Sequence, residues 1–178
     1  IGHGLGVTPN VVLVKCLSST GNWKMHHTSL APITSLNLND TSAQISTASV
    51  FNSMATLNSS VFSVGTEGDT NSNGLTYVAY CFADVQGYSK FGSYTGNGNA
   101  DGAYIHLGFK PSFLMIKQSS GTNFWLMRDN KRDTFNVSSK TLNANGADTE
   151  ASWGTNYLID YLSNGFKCRD GTSPINSS

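Results

Sequence analysis

The stretch LGVTPNVVLVK at 5–15 returns as LGFKPSFLMIK at 107–117. A shift of 102 positions carries the likeness without a gap from Leu5 to Met25. Leu5, Gly6, Pro9, Lys15, Ser18, Thr20, Trp23 and Met25 fall on Leu107, Gly108, Pro111, Lys117, Ser120, Thr122, Trp125 and Met127. Most other positions exchange like for like, as Val14 and Ile116 do. Further on, the copies drift. FSV at 62–64 matches FKC at 166–168 with a shift of 104, and NSN at 71–73 matches NSS at 176–178 with a shift of 105. A period of about a hundred residues is too long for solenoid repeats of ~20–50 residues. It predicts a duplicated β unit, with a first repeat over 1–102 and a second over 103–178. The two are expected to share one sandwich.

The local pattern is that of strands. VVLVK and FLMIK are short β-branched or bulky apolar runs, each a few residues after a proline. Such continuous runs suit strands buried on both faces. A polar turn then leads to WKMHH and WLMRD, where Trp23 and Met25 alternate with Lys24 and His26. That is period two, so each copy opens with a hairpin. Further strands are expected at 34–39, 59–64, 75–85, 103–109, 139–144 and 164–169. In NYLIDYL at 156–162, Tyr157/Tyr161 and Leu158/Leu162 stand at i,i+4, which predicts one or two helical turns. Many short strands joined by Gly, Asn and Ser turns predict an all-β antiparallel sandwich, jelly-roll or concanavalin-like, with little helix.

Charge narrows the function classes. Charged residues make up 12% of the 178 and the net charge is +0, where ~25% charged is usual. A polar, uncharged surface lacks the basic clusters that nucleic acid or anionic membrane calls for. No apolar run approaches the ~20 residues of a membrane span. The opening IGHGLG has no Met and no signal-peptide pattern, and reads as neither a native start nor a leader. Cys16, Cys81 and Cys168 cannot all pair with one another and are expected as small buried apolar residues. No CxxC spacing suggests zinc.

GYSKFGSYTGNGNADG at 87–102, followed by GFKPSFLMIK at 108–117, resembles a repeat β domain of structural proteins in marine tailed phages, cyanophages among them. IGHGLGVTPNVVLVK at 1–15, GLTYVAYCFADV at 74–85 and DYLSNGFKCRDG at 160–171 resemble it too. The resemblance covers nearly the whole chain. It implies a virion-associated or tail-fibre domain, extracellular in setting, without a catalytic or binding motif to carry over. In that family a further strand follows the stretch matching INSS. The sequence here ends at Ser178, so the second repeat is expected to lack that strand and to show an open edge, and the chain reads as part of a longer polypeptide.

Candidate sites are few. DTNSNG at 69–74 matches the opening of a calcium loop, with Asp69, Asn71 and Asn73 as oxygen donors. Its twelfth position is Tyr80, not the bidentate acid that normally completes the set. NGNADG at 97–102 offers Asn97, Asn99 and Asp101 in a similar way. The competing reading of both is turn chemistry, since Asn, Asp and Gly tolerate left-handed backbone and cap their own loops. Calcium is the one cofactor entertained; otherwise none is expected.

Tyr88, Tyr94 and Tyr104, with Asn97 and Asn99, form a candidate glycan platform, because pyranose faces stack on rings. Packing between strands is the other reading of those rings. His26 and His27 are adjacent, point to opposite strand faces and suit a surface or inter-chain role better than a metal. RDNKRD at 128–133 reads as a solvated loop with local ion pairs. Glycosidase chemistry needs two facing carboxylates; Asp84 and Asp160 alone sit beside aromatic runs. There is no G-x-S-x-G, HExxH or P-loop.

The expected function is a non-catalytic structural module of a virion or tail fibre. Its expected partners are other structural chains, in a homo-oligomer or larger assembly, and a host-surface glycan. The alternative is a carbohydrate-binding or adhesin module.

Overall fold

The computed structural model describes every residue except Trp153, Thr155 and Ser173. It divides into two compact units, Ile1–Gly92 and Ser93–Ser178. The β expectation holds: the named strands form antiparallel sheets of five, four and three members, with helix limited to single turns. The repeat period starts its second copy at 103, whereas residues 93–102 group with the second unit. There the Asn97 amide donates to Asn176 Oδ1 at 3.1 Å.

In the first unit the sheet order is β4-β3-β2-β1-β5. Its strands are β1 (Val11–Cys16), β2 (Lys24–His27), β3 (Thr34–Asn37), β4 (Ile45–Ser46) and β5 (Tyr77–Phe82). The nearly continuous apolar run of β1 is explained by its place: β2 flanks it on one side and β5 on the other. Val12 stands opposite His26 and Cys81, and Val14 opposite Lys24 and Ala79. Directly opposed residues share a face. That face is covered by α1 (Ala48–Phe51), a 3-10 turn (Asn52–Met54) and Phe62, which form one cluster with Val12 and Val14. Thr47 caps α1, its hydroxyl accepting from the Ser49 amide. Each buried side chain of this kind contributes about 1.5–3 kcal/mol.

In the second unit one sheet runs β10-β9-β8-β7. Its strands are β7 (Phe113–Ile116), β8 (Leu126–Asp129), β9 (Lys140–Asn143) and β10 (Ala151–Ser152). A second sheet runs β11-β12-β6, from β11 (Ile159–Leu162), β12 (Gly165–Cys168) and β6 (Tyr104–His106). Leu114, Ile116 and Leu126 of the first meet Ile159, Tyr161, Phe166 and Cys168 of the second in a single core, a two-layer packing.

The repeated phrase is a repeated register. Val11↔His27, Val12↔His26, Leu13↔Met25 and Val14↔Lys24 in the first hairpin become Phe113↔Asp129, Leu114↔Arg128, Met115↔Met127 and Ile116↔Leu126 in the second. The third and fourth strands match with a shift of 106. Lys24↔Asn37 and Met25↔Leu36 become Leu126↔Asn143 and Met127↔Leu142. Thr34↔Ser46 and Ser35↔Ile45 become Lys140↔Ser152 and Thr141↔Ala151. Loop bonds recur as well: the Trp23 amide donates to Asn39 Oδ1 at 2.8 Å, and the Trp125 amide to Asn145 Oδ1 at 2.8 Å.

Several expectations need correction. Residues 156–162 contain no helix; β11 pairs with β12, Ile159 and Tyr161 turned inward. The pair Leu162↔Gly165 leaves Ser163 and Asn164 as a two-residue hairpin turn. Residues 59–64 form no strand beyond a bridge between Gly2 and Val61. That bridge matches Tyr104↔Lys167, and the Phe62 amide bonds Ile1 O as the Cys168 amide bonds Ala103 O. The true shift there is 106, not 104, so Phe62 corresponds to Cys168. Trp125 is buried, while Trp23 is half-buried and stacks on Tyr80 with ring centroids 6.2 Å apart.

Candidate functional site

The loop at 97–102 is built from its own side chains. The Asn99 amide donates to Asn97 Oδ1 at 3.0 Å, and the Asp101 amide to Asn99 Oδ1 at 2.9 Å. Asn176, fully buried, donates from Nδ2 to Asn97 Oδ1 and to Asn99 O, both at 2.8 Å. Asp101 reaches Lys167 Nζ at 2.6 Å. That lysine, by hydrogen bond and charge, holds the exposed Asp101 carboxyl below its ordinary range. The donor oxygens of this loop are therefore turned to capping and ion pairing. Asn176 was missed in the sequence, although NSN and NSS had marked its segment.

The loop at 69–74 is placed similarly. Asp69 lies on α2 (Gly68–Asn71), accepts from Asn22 Nδ2 at 3.2 Å and lies 3.6 Å from Lys24 Nζ. Asn71 Nδ2 donates to Gly65 O at 2.7 Å. Asn73 is exposed. Asp69 and Asn71 thus serve a lysine and a backbone carbonyl. Among the described residues, no three His, Cys, Asp or Glu side chains come together in a manner that holds a metal ion.

The tyrosines have separate environments. Tyr88 is 82% exposed and belongs to the first unit. Tyr94, expected as part of an exposed platform, is built into the core of the second. Its ring meets Phe166 edge-on at 6.0 Å and its hydroxyl donates to Ile175 O at 2.6 Å. Burial pushes its phenol well above the ordinary range, with Cys168 adding to the effect. Tyr104 is exposed, and its hydroxyl lies 2.7 Å from Asn164 Oδ1.

The histidine and arginine expectations change most. His26 is not a surface group: it is buried, its ring packed edge-on to Phe51 at 5.9 Å. Burial lowers its pKa. It lines a cavity of about 220 Å³ with Thr28, Leu30, Pro32, Ser53, Met54 and Leu57. Lys24 shares the inward face and is neutralised by Glu67 at 3.1 Å and Asp69. Arg128, read as part of a solvated loop, lies on β8 and is fully buried. Its Nη1 donates to Ser138 O at 3.1 Å, while Nε and Nη2 have no partner. Burial brings its pKa down to about 10. Only the rest of that stretch forms exposed ion pairs, Arg132 with Asp129 and with Glu150.

The two acids beside aromatic runs are each paired with a cation in their own unit, Asp84 with Lys90 and Asp160 with Arg169. All three thiols are free, Cys16 and Cys168 buried and Cys81 partly so. Among the described residues, no helix is long and apolar enough to cross a membrane.

The surface that stands out is a strand edge. β7 is the terminal strand of its sheet, and β8 is its one strand neighbour among the described residues. Its outward side chains Phe113 and Met115 are 53% and 40% exposed. Their counterparts on β1, Val11 and Leu13, are 4% and 8% exposed. The difference has a visible source: Val11 and Leu13 face Phe82 and Tyr80 of β5, and β7 has no such neighbour.

A family model described as "Domain of unknown function (DUF7483)" matches residues 1–178, so the chain belongs to that family. No curated protein and no solved structure matches the chain.

Proposed function

We propose that this member of the DUF7483 family is a non-catalytic structural module that assembles with other chains, in a virion or tail fibre. One observation carries the reading. The second sheet repeats the first strand for strand and pair for pair, yet leaves β7 bare along one side. Unpaired strand edges are templates for association, and stable domains normally blunt them with charge, proline or a covering segment. Phe113, Met115 and the nearby Phe124 are instead apolar and exposed. The low charge of the chain suits dense packing among copies or partners, because little like-charge repulsion must be overcome. The setting in a phage particle comes from the resemblance of the stretches at 87–102 and 108–117. Contact with a host-surface glycan belongs to the same proposal.

The test is localisation. Antibodies raised against the chain, applied to purified native particles and viewed by electron microscopy, are expected to decorate repeated positions. Recovery of the polypeptide solely as a free soluble protein, or turnover of a polysaccharide by it, would contradict the reading.

A further inference from the structure

We infer that the free edge of β7 is an acceptor for one antiparallel strand, and that its occupant is a segment of β5's chemistry donated by a separate polypeptide. The inference deepens the assembly reading above and rests on it. Its template lies within the molecule. β1, which matches β7 position for position against the next strand, carries β5 on its other side. The pairs there are Val11↔Phe82, Val12↔Cys81, Leu13↔Tyr80, Val14↔Ala79, Lys15↔Val78 and Cys16↔Tyr77. Carried over by the shared register, these place the donor's six residues opposite Phe113, Leu114, Met115, Ile116, Lys117 and Gln118.

The side-chain chemistry of the donor follows. Leu114 and Ile116 face a core already closed over them, each 8% exposed. The donor positions opposite them must therefore be small, as Cys81 and Ala79 are against Val12 and Val14. Phe113 and Met115 face outward and exposed. The positions opposite them take large side chains, as Phe82 and Tyr80 do against Val11 and Leu13. Alternation of small and large residues on a backbone free of proline is what an added strand requires, since main-chain bonds give affinity and alternate side chains give selectivity. On the acceptor side the backbone is ready. Among the described residues no backbone bond outside the β7–β8 ladder involves the amides or carbonyls of Phe113 to Ile116.

The experiment uses the full chain and a synthetic peptide of its own residues 75–85, LTYVAYCFADV. Binding is followed by fluorescence anisotropy of a labelled peptide, and by amide hydrogen exchange across β7. The expected result is saturable binding, with exchange in β7 slowed by about tenfold or more. The peptide with the same composition in scrambled order is expected to bind about tenfold more weakly or less. Met115→Lys puts a charge where the side chain is already exposed, so folding is retained, and is expected to weaken binding about tenfold. Met115→Pro, checked for native circular dichroism, is a second variant of the edge.

Equal binding by the scrambled peptide, or no binding, overturns the inference. So does concentration-dependent self-association of the chain that Met115→Lys abolishes, because a second copy would then be the occupant. If peptide binding fails while antibodies still decorate the particle, the edge is not the acceptor and the assembly reading stands. Failure of both removes the assembly reading as well.

Discussion

Arg128 occupies in the second sheet the position that His26 occupies in the first. His26 faces Val12 across β1–β2, and Arg128 faces Leu114 across β7–β8. Both are buried basic groups with unpartnered nitrogen, Nδ1 in one and Nε with Nη2 in the other. The duplicated position keeps a buried base and changes its chemistry. For Arg128 the desolvation of the cation is met by one backbone carbonyl and by the charge of Asp133 at longer range. Burying a charge with incomplete pairing is costly. Arg128→Met keeps most of the volume and is expected to be neutral or stabilising by about 1–4 kcal/mol. Arg128→Ala leaves a cavity and is expected to destabilise by about 2–5 kcal/mol. Urea denaturation of the two variants beside the parent reads both values.

His26 gives the fold a pH dependence. Its pKa lies below the ordinary 6.5 chiefly because burial disfavours the cation. His27 is lowered too, again by burial, with Asp84 pulling it back. As pH falls through about 6.5 the unfolded chain takes up these protons before the folded chain does. Stability is therefore full above that value, is lost as pH falls below it, and levels off once the folded histidines are protonated. His26→Gln is expected to shallow the decline between about pH 7 and 5. Melting temperatures across that range test it. An unchanged slope would mean that His26 is solvated in the folded chain.

Gly165 begins β12 where it crosses β6. A Cβ there would meet Ile105 O at 2.0 Å, with backbone carbon at 3.0 Å behind it. Backbone cannot yield as a flexible side chain can. Gly165→Ala is expected to cost about 1–3 kcal/mol and to loosen the β12–β6 pairing. Thermal denaturation with amide exchange at Tyr104–His106 reads it.

Much of this architecture was legible in the sequence because register is a two-residue code. The repeated phrase fixed both hairpins, and the structure pairs them alike. The misreading of 156–162 has a physical cause. Spacing of i,i+4 is one helical turn, but it is also two strand repeats, so Tyr157/Tyr161 and Leu158/Leu162 suit either. The β-branched Ile159 and the turn at Ser163 and Asn164 decide for the strand. The inward face of β2 was hidden for another reason. Met25 is buried, but so are Lys24 and His26 on the opposite face. Alternation reveals the core face only when the other face meets water. Tyr94 shows the same limit: its burial depends on Phe166 and Ile175, far away in sequence.

The strand that β1 has and β7 lacks makes unlike predictions for like positions. Tyr80 covers Leu13 and stacks on Trp23. Tyr80→Ser is expected to cost about 1–3 kcal/mol through lost apolar cover. Met115→Ser removes a side chain that meets solvent, and is expected to stay within about 0.5 kcal/mol of the parent. Denaturant midpoints of the two variants check the contrast.

The most direct measurement is residue-level amide hydrogen exchange of the free chain by nuclear magnetic resonance, comparing Val11–Cys16 with Phe113–Ile116. β1 lies between two strands and β7 beside one. The account predicts slow exchange along all of β1, and in β7 slow exchange alternating with fast, the fast amides being those that point away from β8. Uniformly slow exchange along β7 would mean that its outer edge is already paired. The open acceptor strand, and the assembly reading built on it, would then be contradicted.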